Sequence, residues 1–210
     1  MGKKQIIWLM LALLSLGTVV SCSESDDDPT AEEFSDWQAR NDAFFASLQD
    51  SLSRDASRWK KFKSFTKNEK TAGDNTEYVY VKVIDGESYS EGCPIYTDSV
   101  RVAYRGRLLP STTYIDGYVF DETYAGSYNF DTTSVLDAPV NSFVDGFATA
   151  LLHMRKGERW RVYIPYQLGY GTGGSTSIPG CSVLVFDLVL IDYVTAEDSF
   201  YPWTSRRMLK

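Results

Sequence analysis

A nearly continuous apolar run, SVLVFDLVLIDY at residues 182–193, constrains the fold of this chain more than any other segment. A strand with water on one face alternates apolar and polar side chains, whereas a strand covered on both faces is apolar throughout. Only two charged residues, Asp187 and Asp192, interrupt the run. It therefore predicts a strand at the centre of a sheet, with a neighbour along each edge.

Other segments show the period-two pattern of strands. They are YVYVKVI at 78–84, SVRVAYRGRLL at 99–109, YVFDETY at 118–124 and RWRVYI at 159–164. One helix is predicted among them, within residues 142–157, because Phe143, Phe147 and Leu151 share a face. Gly157 is a suitable stop for that helix. Short connections favour antiparallel pairing, so the pattern predicts an α+β fold with one helix on an antiparallel sheet.

The N-terminus has the pattern of a leader peptide. Two lysines precede an apolar run at residues 6–20, which is shorter than the roughly 18 or more apolar residues of a spanning helix. The run ends in VVSC, which resembles a bacterial lipobox, where cleavage leaves Cys22 as a lipidated N-terminus. Two interpretations stay open, a lipoprotein signal peptide at 1–21 and a plain signal peptide cut near Ser21. The first predicts an outer-membrane lipoprotein that faces the periplasm or the cell surface.

The segment after Cys22, SESDDDPT, is acidic and offers nothing to a core, so residues 22–30 are predicted to be a solvated tether. Its acidic residues resemble the surface-export signal of some Gram-negative lipoproteins, and a solubilising linker is the alternative. The whole chain has a formal net charge of −7. An acidic exported protein lacks the basic footprint of a nucleic-acid-binding protein, so no nucleic acid is expected as a partner.

Residues 31–75 are predicted to form an N-terminal helical segment. Thr30 and Glu33 occupy the positions of a capping box, and apolar residues then recur at helical spacing to about residue 53. A second short helix is expected in ASRWKKFKSF at 56–65. The apolar stripe of the first helix either docks on the main domain or pairs with a second copy of the chain.

Two cysteines follow Cys22 in the sequence, Cys93 and Cys181. Outside the cytosol such residues often pair, so a disulfide and two buried free thiols are the alternatives. Their spacing matches no zinc motif, and the only histidine, His153, excludes a site with paired histidine ligands. No metal and no cofactor is predicted.

The loop LGYGTGGSTSIPG at 168–180 has the spacing G-x-G-x-x-G of dinucleotide-binding turns, at Gly169, Gly171 and Gly174. Such a turn requires a following helix whose N-terminus holds the pyrophosphate. Here the loop leads into another predicted strand, so the nucleotide interpretation is rejected. The glycines are instead predicted to let a long connection between two strands turn above an apolar cleft.

A domain rich in apolar and aromatic residues and poor in acid–base groups suits a reaction without proton transfer. Rotation about an X–Pro peptide bond is one such reaction, and resonance gives it a barrier of about 18–20 kcal/mol. Twisting the bond reduces the polarity of its carbonyl group. An apolar cleft that excludes water therefore favours the transition state over the planar amide.

Five segments of the second half follow one another as VRVAYRG, VFD, FVDGFATALLHMRKGER, IPYQLGYG and IPGCSVLVFDLVL. In this order they resemble the FKBP-type peptidyl-prolyl cis–trans isomerases, and specifically their lipoprotein members in Bacteroidetes-like bacteria. The resemblance covers nearly all of residues 98–193. It implies a curved antiparallel sheet wrapped around one short helix, in a domain at 76–194 that is followed by a tail at 195–210.

The resemblance also implies roles for individual residues. Asp121 would accept a hydrogen bond from Tyr104 and direct its dipole at the rotating amide. The hydroxyl of Tyr170 and the backbone N–H of Val144 would bind substrate carbonyl groups. The proline pocket would be lined by Tyr104, Phe120, Val144, Phe147, Ile178 and Phe186, with Phe147 as its floor and Phe143 at its rim.

One position departs from the family pattern, because Phe147 stands where the most active members have tryptophan. A smaller floor is expected to lower the rate or to shift the preference for the residue before proline. The resemblance thus implies a prolyl isomerase that acts on unfolded or extended polypeptides. The alternatives are a non-catalytic peptide-binding or chaperone module on the same fold and a structural lipoprotein that docks through its terminal segments. Asp121 and Tyr170 favour catalysis, whereas Phe147 favours the binding module.

Overall fold

The computed structural model describes residues 33–88 and 91–201. Their helices and strands are, in chain order, α1 (Trp37–Arg54), β1 (Trp59–Lys63), β2 (Tyr78–Asp85), β3 (Ser99–Arg107), β4 (Val119–Glu122), β5 (Leu136–Pro139), α2 (Asp145–Leu151), β6 (Arg159–Ile164) and β7 (Leu184–Val194). Short 3₁₀ turns lie at Asn75–Glu77, Val140–Ser142 and Tyr166–Leu168. No helix within the two described ranges is long and apolar enough to cross a membrane. The predicted leader, the tether with Cys22 and residues 202–210 of the tail lie outside them.

The seven strands of the described residues form one antiparallel sheet in the order β1-β2-β6-β7-β3-β4, and β5 also pairs with β3. Strand β7 lies between β6 and β3, and its residues 184–190 are all buried. The central strand expected from the apolar run is therefore confirmed. Asp187, which interrupts the run, is buried as well and accepts hydrogen bonds from Arg161 (2.7 Å) and Arg107 (3.3 Å).

Helix α2 packs on one face of the sheet, here called the inner face. Phe147 and Leu151 are buried there, and a Cβ atom at Gly146 would overlap the side chain of Ile164 in β6. The missing side chain thus lets the helix lie close to the sheet. The helix is shorter than the predicted segment, because the chain after Leu151 continues in turns towards Gly157, which has a positive φ of 96°. The expected α+β fold, with one short helix on a curved antiparallel sheet and a helix before it, is confirmed.

Helix α1 packs on the opposite face of the sheet, here called the outer face. Neighbouring residues of a strand point to opposite faces, and α1 contacts Tyr163, whereas α2 lies over the next residue, Ile164. The ring of Phe45 meets Tyr80 of β2 edge to face at 5.3 Å. The apolar stripe of α1 is therefore buried within the chain itself, as the docking interpretation expected.

The second helix expected at 56–65 is wrong, because Trp59–Lys63 form strand β1, which pairs with β2. Trp59 and Phe62 lie three residues apart, which is typical of a helix face. In a strand this spacing sends the two rings to opposite faces. Trp59 stacks on Tyr163 at 5.4 Å on the outer face, and Phe62 stacks on Trp160 at 5.7 Å on the inner face. Each ring packs on an aromatic residue of its own face of the sheet. The spacing that is typical of a helix therefore occurs here in a strand.

The expected capping box joins Thr30 and Glu33. Thr30 lies outside the described residues, and α1 begins after Asp36, which has a left-handed φ of 51°. The carboxylate of Glu33 accepts hydrogen bonds from the backbone N–H of Thr113 (3.0 Å) and from its hydroxyl group. Glu33 therefore binds the connection between β3 and β4.

Both described cysteines are free thiols, so the disulfide alternative is not realised in the structure. Cys181 is buried and Cys93 is half-buried, and burial raises the pKa of the Cys93 thiol. The backbone N–H of Cys181 donates to the carbonyl oxygen of Gly171 at 2.9 Å. This backbone contact thus joins two parts of the connection between β6 and β7.

Candidate active site

A cleft of about 450 Å³ lies on the inner face of the sheet, beside the start of α2. It is bordered by β3, β4, the start of α2, β7 and the connection between β6 and β7, here called the cleft loop (165–183). The residues that line it are Tyr104, Phe120, Asp121, Ser142, Phe143, Val144, Phe147, Tyr170, Ser175, Ser177, Ile178 and Phe186. All nine residues predicted to bind or act on substrate are therefore brought to one cleft, although their roles remain predictions.

The deepest side of the cleft is built from aromatic rings around Phe147, which is only 2% exposed. Its ring meets those of Tyr104 (5.7 Å) and Phe186 (4.9 Å) edge to face. Phe143 stacks on it at 4.5 Å, and Phe120 meets Phe186 edge to face at 5.4 Å. Edge-to-face and stacked contacts of this kind favour fixed ring orientations. The cleft thus has a rigid apolar floor.

One polar pair stands beside this floor. The hydroxyl of Tyr104 donates a 2.6 Å hydrogen bond to Oδ2 of Asp121, whose side chain is exposed to solvent. Burial raises the pKa of Tyr104, and the hydrogen bond to Asp121 and the charge of that carboxylate raise it further. Tyr104 is therefore a neutral donor across the ordinary pH range, and it orients the carboxylate at the edge of the cleft.

Gly106 is a residue that the sequence reasoning missed. A Cβ atom at this position would lie 2.6 Å from Cε1 of Phe186 and 2.7 Å from Cζ of Phe120. The two rings occupy the space that the side chain of any residue other than glycine would need at this position. A glycine inside a strand pattern is the signal that could have drawn attention to it.

The start of α2 contributes Val144 to the cleft. Val144 is the N-cap residue, with an extended backbone at φ −59° and ψ 151°. The first N–H groups of a helix have no partner within the helix. The position is therefore compatible with the predicted bond from the Val144 N–H to a substrate carbonyl group.

The cleft loop carries the remaining lining residues. Tyr170 is 42% exposed, whereas the Ile178 side chain is only 4% exposed. Gly171 and Gly174 have positive φ values of 63° and 68°, so the glycines serve the turns of the loop. After its glycines the loop continues into β7 without a helix, so no helix N-terminus follows them that could bind a pyrophosphate. Among the described residues no group of three or more His, Cys, Asp and Glu could hold a metal ion.

Residues 93–191 match the family model described as FKBP-type peptidyl-prolyl cis-trans isomerase. Over 102 residues the chain is 39% identical to "Peptidyl-prolyl cis-trans isomerase FKBP9" of Rattus norvegicus, which covers 49% of this chain and 16% of that protein. Over 100 residues it is 39% identical to "FKBP-type 22 kDa peptidyl-prolyl cis-trans isomerase" of Escherichia coli K12, which covers 47% of this chain and 43% of that protein. The chain therefore spans less than half the length of these curated relatives.

The fold is similar to that of the crystal structure of FkpA from Escherichia coli. The two structures superpose with a TM-score of 0.54 and 24% sequence identity, over 93% of this chain and 84% of the other. At this identity the likeness concerns the fold alone.

Proposed function

Because residues 93–191 match the model of the FKBP-type peptidyl-prolyl cis–trans isomerase family, we propose that the protein accelerates rotation about X–Pro bonds in unfolded or extended polypeptides. The observation that carries this proposal is the aromatic cleft around Phe147, with the Tyr104–Asp121 hydrogen bond at its edge. The relatives are named for this activity, and the chain matches them over about 100 residues. The proposal assigns the activity to the whole protein.

The apolar floor supplies the main contribution to the rate. The planar amide is stabilised by resonance, which polarises its carbonyl group, and rotation has a barrier of about 18–20 kcal/mol. Phe147, Phe186 and Phe120 surround the proline ring and displace water from the bond. The twisted amide is less polar than the planar one, so the cleft binds it more favourably.

A few polar groups direct the peptide. The N–H of Val144 and the hydroxyl of Tyr170 bind carbonyl groups on either side of the proline. The carboxylate of Asp121, oriented by Tyr104, faces the carbon of the rotating carbonyl group. No group gives up or takes a proton, and no covalent intermediate forms. The cycle requires no nucleotide and no other cofactor.

The sequence of the N-terminus supports an exported location. The leader ends in a lipobox-like VVSC, and an acidic tether follows it. The protein is a lipoprotein of the kind found in Bacteroidetes-like bacteria, anchored to the outer membrane by lipidated Cys22, and its domain faces the periplasm or the cell surface. Cys22→Ser should release it from the membrane fraction. If that variant still sediments with membranes, lipidation of Cys22 is not the anchor.

The activity is tested with residues 23–210 and a proline-containing peptide, by NMR exchange spectroscopy, which needs no coupling protease. Faster cis–trans exchange at micromolar protein supports the proposal. Binding of the peptide without faster exchange overturns it in favour of a non-catalytic chaperone, the alternative that the phenylalanine floor at Phe147 favours. If the peptide neither binds nor exchanges faster, the proposal is wrong and the remaining alternative is a structural lipoprotein that docks through its terminal segments.

A further inference from the structure

Helix α1 and Glu33, just before it, are hydrogen-bonded to the cleft loop and to the connection between β3 and β4, although α1 lies on the outer face of the sheet. Glu33, just before α1, accepts from Thr113 in the β3–β4 connection, and Arg40 donates to the carbonyl oxygen of Pro110 at 2.8 Å. In the cleft loop, Ser182 accepts a hydrogen bond from Trp37. The helix and the residue before it therefore contact two loops that are far apart in the sequence.

The bond from Trp37 continues to the cleft. Its indole N–H donates to Oγ of Ser182 at 2.8 Å, and this contact is buried. An indole nitrogen can only donate, so the Ser182 hydroxyl proton is left for the carbonyl oxygen of Pro179, which lies 2.6 Å from Oγ. Pro179 directly follows Ile178, whose side chain lines the cleft. Two hydrogen bonds and one peptide link thus separate α1 from a residue of the cleft.

A second buried contact fixes the same end of the loop. Asn41, which is fully buried, accepts a hydrogen bond from the backbone N–H of Val183 at 2.8 Å. Its amide nitrogen donates to the carbonyl oxygen of Trp37 at 2.7 Å. Because the backbone N–H can only donate and the carbonyl can only accept, these partners fix the orientation of the amide. Trp37 and Asn41 therefore form one unit at the end of the loop.

We propose that α1 is a positioning element of the cleft, in which Trp37 and Asn41 hold residues 179–183 and thereby place Ile178 against the substrate. This inference rests on the proposed function for its kinetic consequence only. Ile178 touches the substrate in its planar and its twisted form alike, so loosening it weakens binding in both. The expected signature is a higher KM with little change in kcat.

The variants Trp37→Phe and Ser182→Ala remove the buried bond from either side. Trp59→Phe is the matched control, because Trp59 also packs on the outer face, against Tyr163, and is remote in sequence from the cleft loop. The readout is the methyl NMR spectrum of isoleucine-labelled residues 23–210, in which Ile178 is assigned by substitution. This spectrum requires no turnover, so it tests the positioning role even if the protein proves not to be an isomerase.

Trp37→Phe and Ser182→Ala should each shift and broaden the Ile178 methyl signal, and the double variant should add nothing to the larger single effect. In the active enzyme each should raise KM roughly three- to tenfold, the range expected for one buried hydrogen bond. Trp59→Phe should leave both readouts unchanged. An unaltered Ile178 signal in Ser182→Ala, the smaller and better tolerated change, overturns the proposal even if Trp37→Phe fails to fold.

Discussion

The hydroxyl of Tyr104 reaches Oδ2 of Asp121 at 2.6 Å, although the strand register pairs Asp121 with Gly106 and not with Tyr104. The two residues stand diagonally on the inner face of β3 and β4. Diagonal neighbours lie about 7–8 Å apart at the backbone, a gap that a long side chain such as tyrosine can bridge. The register of β4 against β3 therefore decides where the carboxylate points.

Replacement of Asp121 should reduce the isomerase activity. Asp121→Leu removes the acceptor and the charge, and a hydrogen bond to a charged group is worth about 1.5–3 kcal/mol, so kcat/KM should fall roughly ten- to a hundredfold. Asp121→Asn keeps an acceptor oxygen and should lose less. Exchange NMR on the proline peptide measures both, and thermal unfolding checks the fold. Equal activities of the Leu variant and the parent would remove Asp121 from the mechanism.

Tyr170→Phe should lower activity while leaving the stability unchanged. The side chain is 42% exposed, so loss of its hydroxyl removes no buried contact. If the hydroxyl binds a substrate carbonyl group, kcat/KM should decrease by roughly three- to tenfold, as for one ordinary hydrogen bond. Substrate titration followed by chemical shift provides the dissociation constant. An unchanged kcat/KM would show that the hydroxyl does not contact the substrate.

Gly106→Ala should distort the aromatic floor. The added methyl group would overlap Phe186 and Phe120, and overpacking of this kind costs about 1–3 kcal/mol of the free energy of unfolding. The displaced rings should also weaken peptide binding. Gly173→Ala is the matched control, because a Cβ atom there has no neighbour within 4 Å. Urea unfolding measures the free energy of unfolding of the two variants. Similar midpoints would show that the rings do not require a glycine at position 106.

The raised pKa of Tyr104 predicts a specific alkaline instability. The ordinary tyrosine value is about 10, and burial together with Asp121 holds the folded-state pKa above it. Above pH 10 the unfolded chain releases this proton while the folded protein retains it. The stabilising contribution is therefore complete below pH 10 and decreases as the pH rises towards the folded-state value.

The measurement compares the parent protein with Tyr104→Phe in urea unfolding between pH 9 and pH 11.5. The free energy of unfolding of the parent should fall more steeply above pH 10, because the variant lacks the titrating group. Other tyrosines are common to both proteins, so they cancel in the difference. If the free energies of unfolding of the two proteins fall in parallel with pH, the pKa of Tyr104 is not raised in the folded protein.

Asp187→Ala should destabilise the domain. Arg107 and Arg161 each form an ion pair with this buried carboxylate, and both would lose it. Because both guanidinium groups are partly exposed, the expected loss is about 1–3 kcal/mol, less than for a fully buried pair. Asp192→Ala is a control in the same strand, since its pair with Lys156 is more exposed, and it should cost about 0–1 kcal/mol. Equal losses would contradict the special role of Asp187.

The elements with one dominant pattern could be predicted from the sequence. The run at 182–193 contains most of the central strand, because the neighbouring strands and the two helices leave residues 184–190 no side that faces water. The residues of the cleft were identified from a resemblance of ordered motifs, since no single aromatic residue on a strand distinguishes a pocket from a core.

Features that depend on tertiary contacts could not be predicted. Trp59 and Phe62 are spaced as in a helix, and only the aromatic surfaces on both faces of the sheet make a strand the better solution. The carboxylate of Glu33 binds Thr113, which is 80 residues away in the chain, and no local pattern indicates this contact. The Trp37–Ser182 bond spans 145 residues and leaves no local trace.

Strand β1 stands at the border of the sheet, and three of its five residues, Lys60, Lys61 and Lys63, are lysines. A bare sheet border is a template on which other extended chains can add as further strands, and lysine is among the residues that natural proteins use to discourage such growth. Under the proposed function, the protein meets such chains continually. Lys63 is paired with Glu77 and Lys61 with Asn75, so the exposed Lys60 is the charge that should help to prevent such chains from extending the sheet.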